Sequence, residues 1–565
     1  MYKDENRALA ALLFDGEALR TIDDYEELYK PRETHDGQMI TRLGPSPTGF
    51  IHLGNLYMAY INKKFAKQSG GACYLRVEDT DEKRAVEGAV DTLIDGLAYF
   101  GIDFDEGAGQ GNIGNISDTD SGEYGPYYQS DRRDIYRTFA KELVLRGHAY
   151  PCFLTEEEID QIRAGQEEQK RTPGIYKGYS KYRDASLDDV KTLIAEGKPY
   201  VLRLRAEGTE GEFRSGFDAV RGELKLPVNF MDIVVLKKTG MPTYHFAHIV
   251  DDHLMHTTHV IRGEEWLSSL PIHLNLFELL EIDPPVYAHA TVLMKFDDET
   301  GKKRKLSKRK DPELSLTYYM QEGYHKAAIE EYLLTIINSD YEEWRAEHLD
   351  ASTDEFKISF EKMSNSGILF DLDKLRDVSK DALLRLPAEE IADYLIDWAY
   401  RYAASEPELS GIYEVLSSDK PQLAQILDIG RSGAKPRKDL SYAKQIWEHI
   451  SYFYDDFYKI TDDIPEHIAD GDAAVLLKEY IENHDINDDR DTWFAKIREL
   501  GTKHGYAAKP KDFKKNPDDY KGHVGDVSAL IRLALVGKTT SPDIYEIEQI
   551  MGAEKVNQRI LGFLG

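Results

Sequence analysis

MITRLGPSPTGFIHLGNLYMAYINKKFAKQSGGACYLRVEDT, residues 39–80, is the stretch that decides the fold. MITRL reads as a short strand. GPSPTG then packs Gly44, Pro45, Pro47 and Gly49 into six residues, which predicts a tight loop rather than regular structure. In LGNLYMAYINKKFAKQSG the apolar residues Leu56, Tyr60, Ile61 and Phe65 recur at helical spacing, with a stop at Gly70. CYLRVEDT alternates as a strand does. Strand, loop, helix and strand in that order predict an α/β, doubly wound nucleotide-type fold. A Gly/Pro loop running into a helix start presents backbone N–H groups and the helix dipole to a phosphate. His52 stands at that start, and Gly54 allows close backbone approach.

The rest of the chain is read outward from this unit. Residues 1–38 carry Leu9, Leu12 and Leu13 at spacings that suggest one or two short helices. Residues 108–126, rich in Gly, Asp, Asn and Ser, read as a surface loop opening an insertion. Residues 127–240 mix helices (132–147 and 155–171) with strands in YVLRLRA and NFMDIVVLKK. TYHFAHIVDDHLMH and THVIRG restore the helix–strand texture. Beyond about residue 312 the strands disappear, and segments such as AEEIADYLIDWAYRYA and VSALIRLALVG read as amphipathic helices.

A length of 565 residues suggests roughly four domains. Two cysteines, Cys73 and Cys152, exclude a disulfide framework and a four-cysteine zinc site, and fit a reducing compartment. No apolar run approaches the ~20 residues that cross a bilayer, and the N-terminus lacks a secretory apolar core. A cytoplasmic location without a membrane partner is therefore expected. The formal charge of −31 should repel bulk nucleic acid, so any RNA contact must use local basic tracts. Residues 302–310, KKRKLSKRK, are seven-ninths basic; smaller clusters are Lys435, Arg437 and Lys438, then Lys509, Lys511, Lys514 and Lys515. Lys305 and Lys308 suit charge growing on a phosphate or a leaving pyrophosphate, although alone the tract also reads as a mobile, solvated loop. His245, His248, His253, His256 and His259 crowd beside Asp251 and Asp252, but their spacing puts no three ligands on one helical face. No metal is expected there.

RLGPSPTGFIHLGN and KLSKR together resemble the two signatures of class I aminoacyl-tRNA synthetases. HLGN stands where that class has His-Ile-Gly-His, with Asn55 in the fourth position, and KLSKR stands where it has Lys-Met-Ser-Lys-Ser. TRLGPSPTGFIHLGN, YLRVEDTDEKR, YYQSDRRDIY, PTYHFAHIVDDHLMHTTHVIRGEEWLSS and KLSKRKDPE narrow the resemblance to bacterial-type glutamyl-tRNA synthetases. SNSGILFDLDKL and YKGHVGDVSALIRLALVGKTTSPDIYEI resemble that family's stem-contact and anticodon-binding regions. Only residues 1–38 fall outside.

The resemblance implies a Rossmann-like catalytic domain over 39–123 and 241–296, split by an acceptor-stem-binding insertion at 124–240. A stem-contact region with the KLSKR loop (297–378) and an all-α anticodon-binding region (379–565) would follow. It implies a monomer that joins L-glutamate to ATP as glutamyl-adenylate, with Mg²⁺ accompanying ATP. The glutamyl group then passes to the 3′-terminal adenosine of tRNA-Glu; whether tRNA-Gln is also charged stays open. Neither step needs a protein nucleophile, so position and electrostatics carry the chemistry. His52, Lys305 and Lys308 would be catalytic, with Gly54, Asn55 and Ser307 also at ATP. Arg42, Tyr244 and Arg262 would meet substrate carboxylate, Ser46 and Glu78 the amino end. His248 stands where some members have Asn; Glu265 and Trp266 match the pocket region. Arg437 is the candidate anticodon contact. Some relatives hold zinc in the insertion, but PCFLTEEEI keeps only Cys152, so no zinc is expected.

Three other readings are weaker. A glutaminyl-tRNA synthetase need not keep the same cationic recognition, and RLGPSPTG, RVEDTD and the helical C-terminal region follow the glutamyl pattern. A tRNA-modifying glutamyl paralogue lacks the anticodon region. A non-catalytic tRNA-binding paralogue should have lost His52 or the KLSKR lysines.

Overall fold

The chain opens with α1 (Asp4–Leu13) and α2 (Ile22–Leu28). Thr21 starts the second helix with a reciprocal cap, its hydroxyl accepting from Asp24 N–H and its own N–H donating to the Asp24 carboxylate. Then come β1 (Ile40–Leu43), α3 (Leu53–Ser69) and β2 (Ala72–Leu75). β1 and β2 run parallel, Arg42 opposite Tyr74 and Leu43 opposite Leu75. The expected strand–loop–helix–strand unit is therefore present. α3 buries Leu53, Leu56, Ile61 and Phe65, each contributing about 1.5–3 kcal/mol. The computed structural model describes residues 2–47, 51–81, 86, 88–109, 120–297, 299–307, 309–402, 406–432, 435–469 and 471–565.

α4 (Ala89–Tyr99) leads to β3 (Glu106–Gly107), which completes a parallel sheet in the order β1-β2-β3. Next come α5 (Arg133–Arg146), β4 (Ala149–Cys152), α6 (Glu156–Glu168), α7 (Leu187–Ala195) and β5 (Val201–Leu204), then a hairpin of β6 (Phe213–Asp218) and β7 (Gly222–Pro227), then β8 (Val234–Leu236), the segment expected as an insertion. β4, β5 and β8 form an antiparallel sheet. The chain returns with α8 (Tyr244–Leu254), β9 (His259–Gly263), α9 (Leu270–Leu280) and β10 (Val286–Ala290). β9 and β10 are parallel, Arg262 opposite His289. β9 sits beside β1: Thr258 N–H donates to Ile40 O, Ile40 N–H to the Thr258 hydroxyl, and Asn62 of α3 to Ile261 O. A crevice at the carboxyl ends of such strands is where an open α/β layer binds ligands. β11 (Leu293–Phe296), β12 (Lys303–Lys305) and β13 (Ile368–Leu369) make a small sheet beyond it.

The leader is bound into this body. Asn6 donates to Leu145 O and Thr138 to Arg20 O, both through α5. Arg32 reaches Glu106 with two N–H groups at 2.6 and 2.9 Å and stacks 3.9 Å from the Tyr124 ring centroid.

The chain divides into two compact units, Met1–Tyr318 with Tyr332–Asp371, and Tyr319–Glu331 with Leu372–Gly565. The second is a helical array around Leu395, Trp398, Ile426, Ile446, Leu530 and Ile547. Among the described residues, no helix is long and apolar enough to cross a membrane.

Three expectations need correction. CYLRVEDT is a strand only to Leu75; afterwards Arg76 N–H bonds Leu43 O and Glu78 N–H bonds Pro45 O, so the chain follows the proline loop into the crevice. Strands do not end at residue 312, because Ile368 and Leu369 pair with β11; two residues are too few to show a period. The basic tract is not simply a loop, because Lys303–Lys305 pairs antiparallel with β11.

Candidate active site

The crevice is a cavity of about 760 Å³ within the first unit. Its phosphate side begins at His52, the residue before α3. His52 N–H donates to Asn55 Oδ1 at 3.1 Å, so the motif's Asn caps the helix start. The imidazole folds back over Gly54, where a Cβ would lie 2.8 Å from His52 Nδ1. Burial, and then the nearby Lys305 ammonium, push His52 below the usual imidazole range and keep it neutral. Lys305 reaches this wall from the end of β12. The tract that carries it is anchored by Arg304, which donates to both Asp311 oxygens at 2.6 and 2.8 Å and to Asp297. Ser307 N–H also donates to Asp311.

The other side is built from buried charge. Arg42, at the end of β1, pairs with Asp252 of α8 at 3.3 Å and approaches His248 Nδ1 at 3.4 Å. Arg76 holds Asp252 at 2.7 Å and Glu78 at 3.2 Å. Burial alone would raise Asp252, but Arg42 and Arg76 win and hold it well below the usual carboxylate range. For Glu78 burial wins over the same two arginines, and its carboxyl is raised. Glu78 comes this close to the loop because Gly44 has no side chain; a Cβ there would strike its carboxylate. Arg262, at the end of β9, is surrounded differently. It donates to His289 Nε2 (3.0 Å), Tyr244 OH (3.3 Å), Trp266 O (3.3 Å) and His273 Nδ1 (3.2 Å). All four are neutral acceptors, and among the described residues Arg262 pairs with no carboxylate. Tyr244 packs on Trp266 with ring centroids 4.3 Å apart.

Arg42, Ser46, His52, Gly54, Asn55, Glu78, Tyr244, Arg262, Glu265, Trp266 and Lys305 all line the one cavity. His248 does not: it is fully buried behind Tyr244, bonded to Asp252 and Tyr287. Ser307 is not in the wall, and Lys308 lies outside the described residues. Sequence reasoning missed Arg76, Asp252, His273 and His289 as site-builders, and Lys237, which lines the cavity and donates to Thr80 O. Arg76 and Asp252 sit inside quoted motifs and could have been found there; the two histidines carry no local signal. Of the histidines on and after α8, His245 and His248 both pack on His273, while His253 meets Glu26 and His256 meets Tyr29 O. Cys73 is buried, which pushes its thiol up to about 12, and Cys152 is buried beside Ser180.

Comparison with known proteins extends this picture over the whole chain. Residues 38–377 match the family described as tRNA synthetases class I (E and Q), catalytic domain, and residues 390–564 match an anticodon binding domain. A glutamate–tRNA ligase of Acetivibrio thermocellus is 51% identical, covering 98% of this chain and 99% of its own length. One from Clostridium perfringens is 44% identical with the same coverage. Coverage of 98% takes in most of the 38-residue leader, which the resemblance read from motifs left out. Among solved structures, a glutamate tRNA ligase from Elizabethkingia meningosepticum in complex with its amino acid superposes with a TM-score of 0.70 at 26% identity, covering 93% of this chain and 99% of that one. A nucleotide-type parallel layer, a His52–Lys305 wall and a helical second unit thus coincide with full-length similarity, and the chain belongs to the class I tRNA synthetases of the E and Q branch.

Proposed function

We propose that the chain is a glutamate–tRNA ligase, activating L-glutamate with ATP and passing it to the 3′-terminal adenosine of tRNA-Glu. The partners of the buried arginines carry this reading. Among the described residues, Arg42 and Arg76 are ion-paired with Asp252 and Glu78, whereas Arg262 lines the cavity with only neutral acceptors in direct contact and reaches a carboxylate, Asp218, only through His289. A carboxylate of glutamate would give Arg262 a direct anionic partner; the neutral amide of glutamine would not. Glu78 suits the substrate ammonium, with Ser46 beside it. Arg42, Arg262 and Tyr244 suit its two carboxylates.

At the opposite wall, His52, Gly54 and the start of α3 would hold the ATP phosphates, with Lys305 and Lys308 stabilising charge in the transition state. The glutamate α-carboxylate attacks the α-phosphate, the bond to pyrophosphate breaks, and a mixed anhydride results. The terminal 2′-OH of tRNA then attacks its carbonyl and releases AMP. Mg²⁺ would neutralise phosphate charge. We further propose that residues 124–240 hold the acceptor stem, that 297–378 touch the stem, and that 379–565 read the anticodon of a monomeric, cytoplasmic enzyme. Arg437 is the residue we assign to that role: with Lys538, His449 and Tyr452, and with Asp439, Glu448 and Asp543, it lines a cavity of about 470 Å³ in the second unit, where it is paired with Asp439.

The test is ATP–pyrophosphate exchange with glutamate or glutamine, each with and without bulk tRNA. Exchange that depends on glutamate and on tRNA is expected. Glutamine-dependent exchange would move the assignment to the sister enzyme, and none at all from folded protein with competent tRNA would favour a non-catalytic tRNA binder.

A further inference from the structure

We infer that Asp218 and His289 are positioning residues that fix Arg262 in its substrate-binding orientation by dictating which ring nitrogen of His289 carries the proton. The inference rests on the assignment of Arg262 to glutamate. Arg262 and His289 are opposite one another on the parallel strands β9 and β10. Arg262 Nε–H can only donate, and it points at His289 Nε2 from 3.0 Å. Nε2 must therefore be the acceptor, and the ring proton sits on Nδ1. Nδ1 lies 2.6 Å from Asp218 Oδ2, which also accepts the backbone N–H of His289. Asp218 and His289 are both fully buried, so no solvent rescues the wrong tautomer.

Asp218 does not belong to the parallel layer. It ends β6, in the hairpin of the insertion. Its other oxygen accepts from Val220 and Arg221 N–H at 3.0 Å each, closing the turn. Ala219 N–H donates to Tyr287 O on β10, and Arg221 reaches the His289 carbonyl and Glu264. The hairpin turn is thus docked on the strand that supports Arg262. On the far side, His273 Nδ1 accepts from Arg262 Nη2 while its Nε2 faces His245 Nδ1 at 3.0 Å. Trp266 O also accepts from Nη2 and Tyr244 OH from Nη1, so all three nitrogens of the guanidinium are held. One Nη1 hydrogen has no protein partner among the described residues and is left for an anionic ligand.

Asp218→Asn tests this at constant size. Two backbone N–H groups hold Oδ1, so the introduced amide NH₂ falls opposite His289 Nδ1 and favours the other tautomer, setting two donors against each other at Arg262. The KM for glutamate should rise about tenfold while the KM for ATP stays within about twofold. His289→Gln supplies an amide oxygen that accepts without any tautomer, so it should cost less, and Asp218→Asn added to it should change little further. His289→Phe, which removes the acceptor, should match or exceed Asp218→Asn; the Phe and Gln pair keeps the test alive if Asp218→Asn fails to fold. An unchanged glutamate KM in Asp218→Asn, an equal rise for ATP, equal increments on both His289 backgrounds, or no difference between Phe and Gln overturns the inference. Arg262→Ala without effect on glutamate instead overturns the glutamate site itself.

Discussion

Arg42 and Arg262 are both buried arginines on adjacent strands, yet only the first has a carboxylate partner. That difference decides what each can do. Arg42 is already matched by Asp252, whereas Arg262 touches only neutral acceptors and reaches Asp218 through His289, which leaves it able to take an anion directly. Glu78 completes the set with the opposite sign. Its carboxyl is raised by burial despite Arg76 and Arg42, so it holds its proton to higher pH than an ordinary glutamate. A substrate ammonium needs the ionised form. Glutamate KM should therefore rise as pH falls through the raised value, and do so above the usual carboxylate range. Glu78→Gln should raise glutamate KM about ten- to hundredfold, the loss of a charge-assisted hydrogen bond, and flatten that acid limb. A variant that kept the same pH profile would show that another group titrates.

At the scale of the element, the start of α3 combines two demands that usually conflict. Ala is the better helix former, by up to about 1 kcal/mol in an interior and less in a first turn, yet the second residue of α3 is Gly54. The reason is the imidazole: a Cβ at residue 54 would lie 2.8 Å from His52 Nδ1. Gly54→Ala should leave thermal stability unchanged or slightly higher, because the ring can swing aside. It should lower the rate of adenylate formation about ten- to hundredfold, because His52 and the phosphates compete for that space. Unaltered turnover would mean that His52 is a cap and nothing more. The same element shows what a sequence reveals. The loop, the helix, His52 and Asn55 were legible because Gly, Pro and capping residues punctuate a contiguous stretch, and Lys305 because it stands in the dense basic tract 302–310. Asp218, His273 and His289 were not. Asp218 and His289 meet across 71 residues of chain, and nothing in VYAHA distinguishes a histidine that orients an arginine from one that fills a core. The placing of His248 has the same origin: the resemblance put it among the pocket residues, but only the packing of α8 shows that Tyr244 takes the cavity and His248 lies behind it. Strand ends were misjudged where the chain leaves the sheet to deliver Arg76 and Glu78.

On the scale of the whole molecule, a chain of net charge −31 must hold a polyanion and a small anion by different means. The glutamate end is built of side chains almost shut off from water, with Arg42 and Arg262 only 4% and 6% exposed. Mobile ions screen such charges little. RNA must instead meet surface lysines and arginines, where binding releases counterions and weakens with salt. The acidic remainder opposes this, since salt also screens long-range repulsion, so the slope should be shallower than for a basic RNA-binding protein. Contact terms act within a few ångströms and the repulsion beyond a Debye length of about 10 Å, so the contacts win at moderate salt. Between about 50 and 200 mM salt the KM for tRNA should rise about tenfold, which is a log–log slope of affinity on salt of about −1.7. At saturating tRNA the KM for glutamate should move less than about twofold over the same range. Steady-state aminoacylation at several salt concentrations separates the two. A glutamate KM that climbed in step with that of tRNA would mean that solvent and ions reach the buried arginines in the working enzyme, and that a direct ion pair at a water-excluded Arg262 is not what selects glutamate.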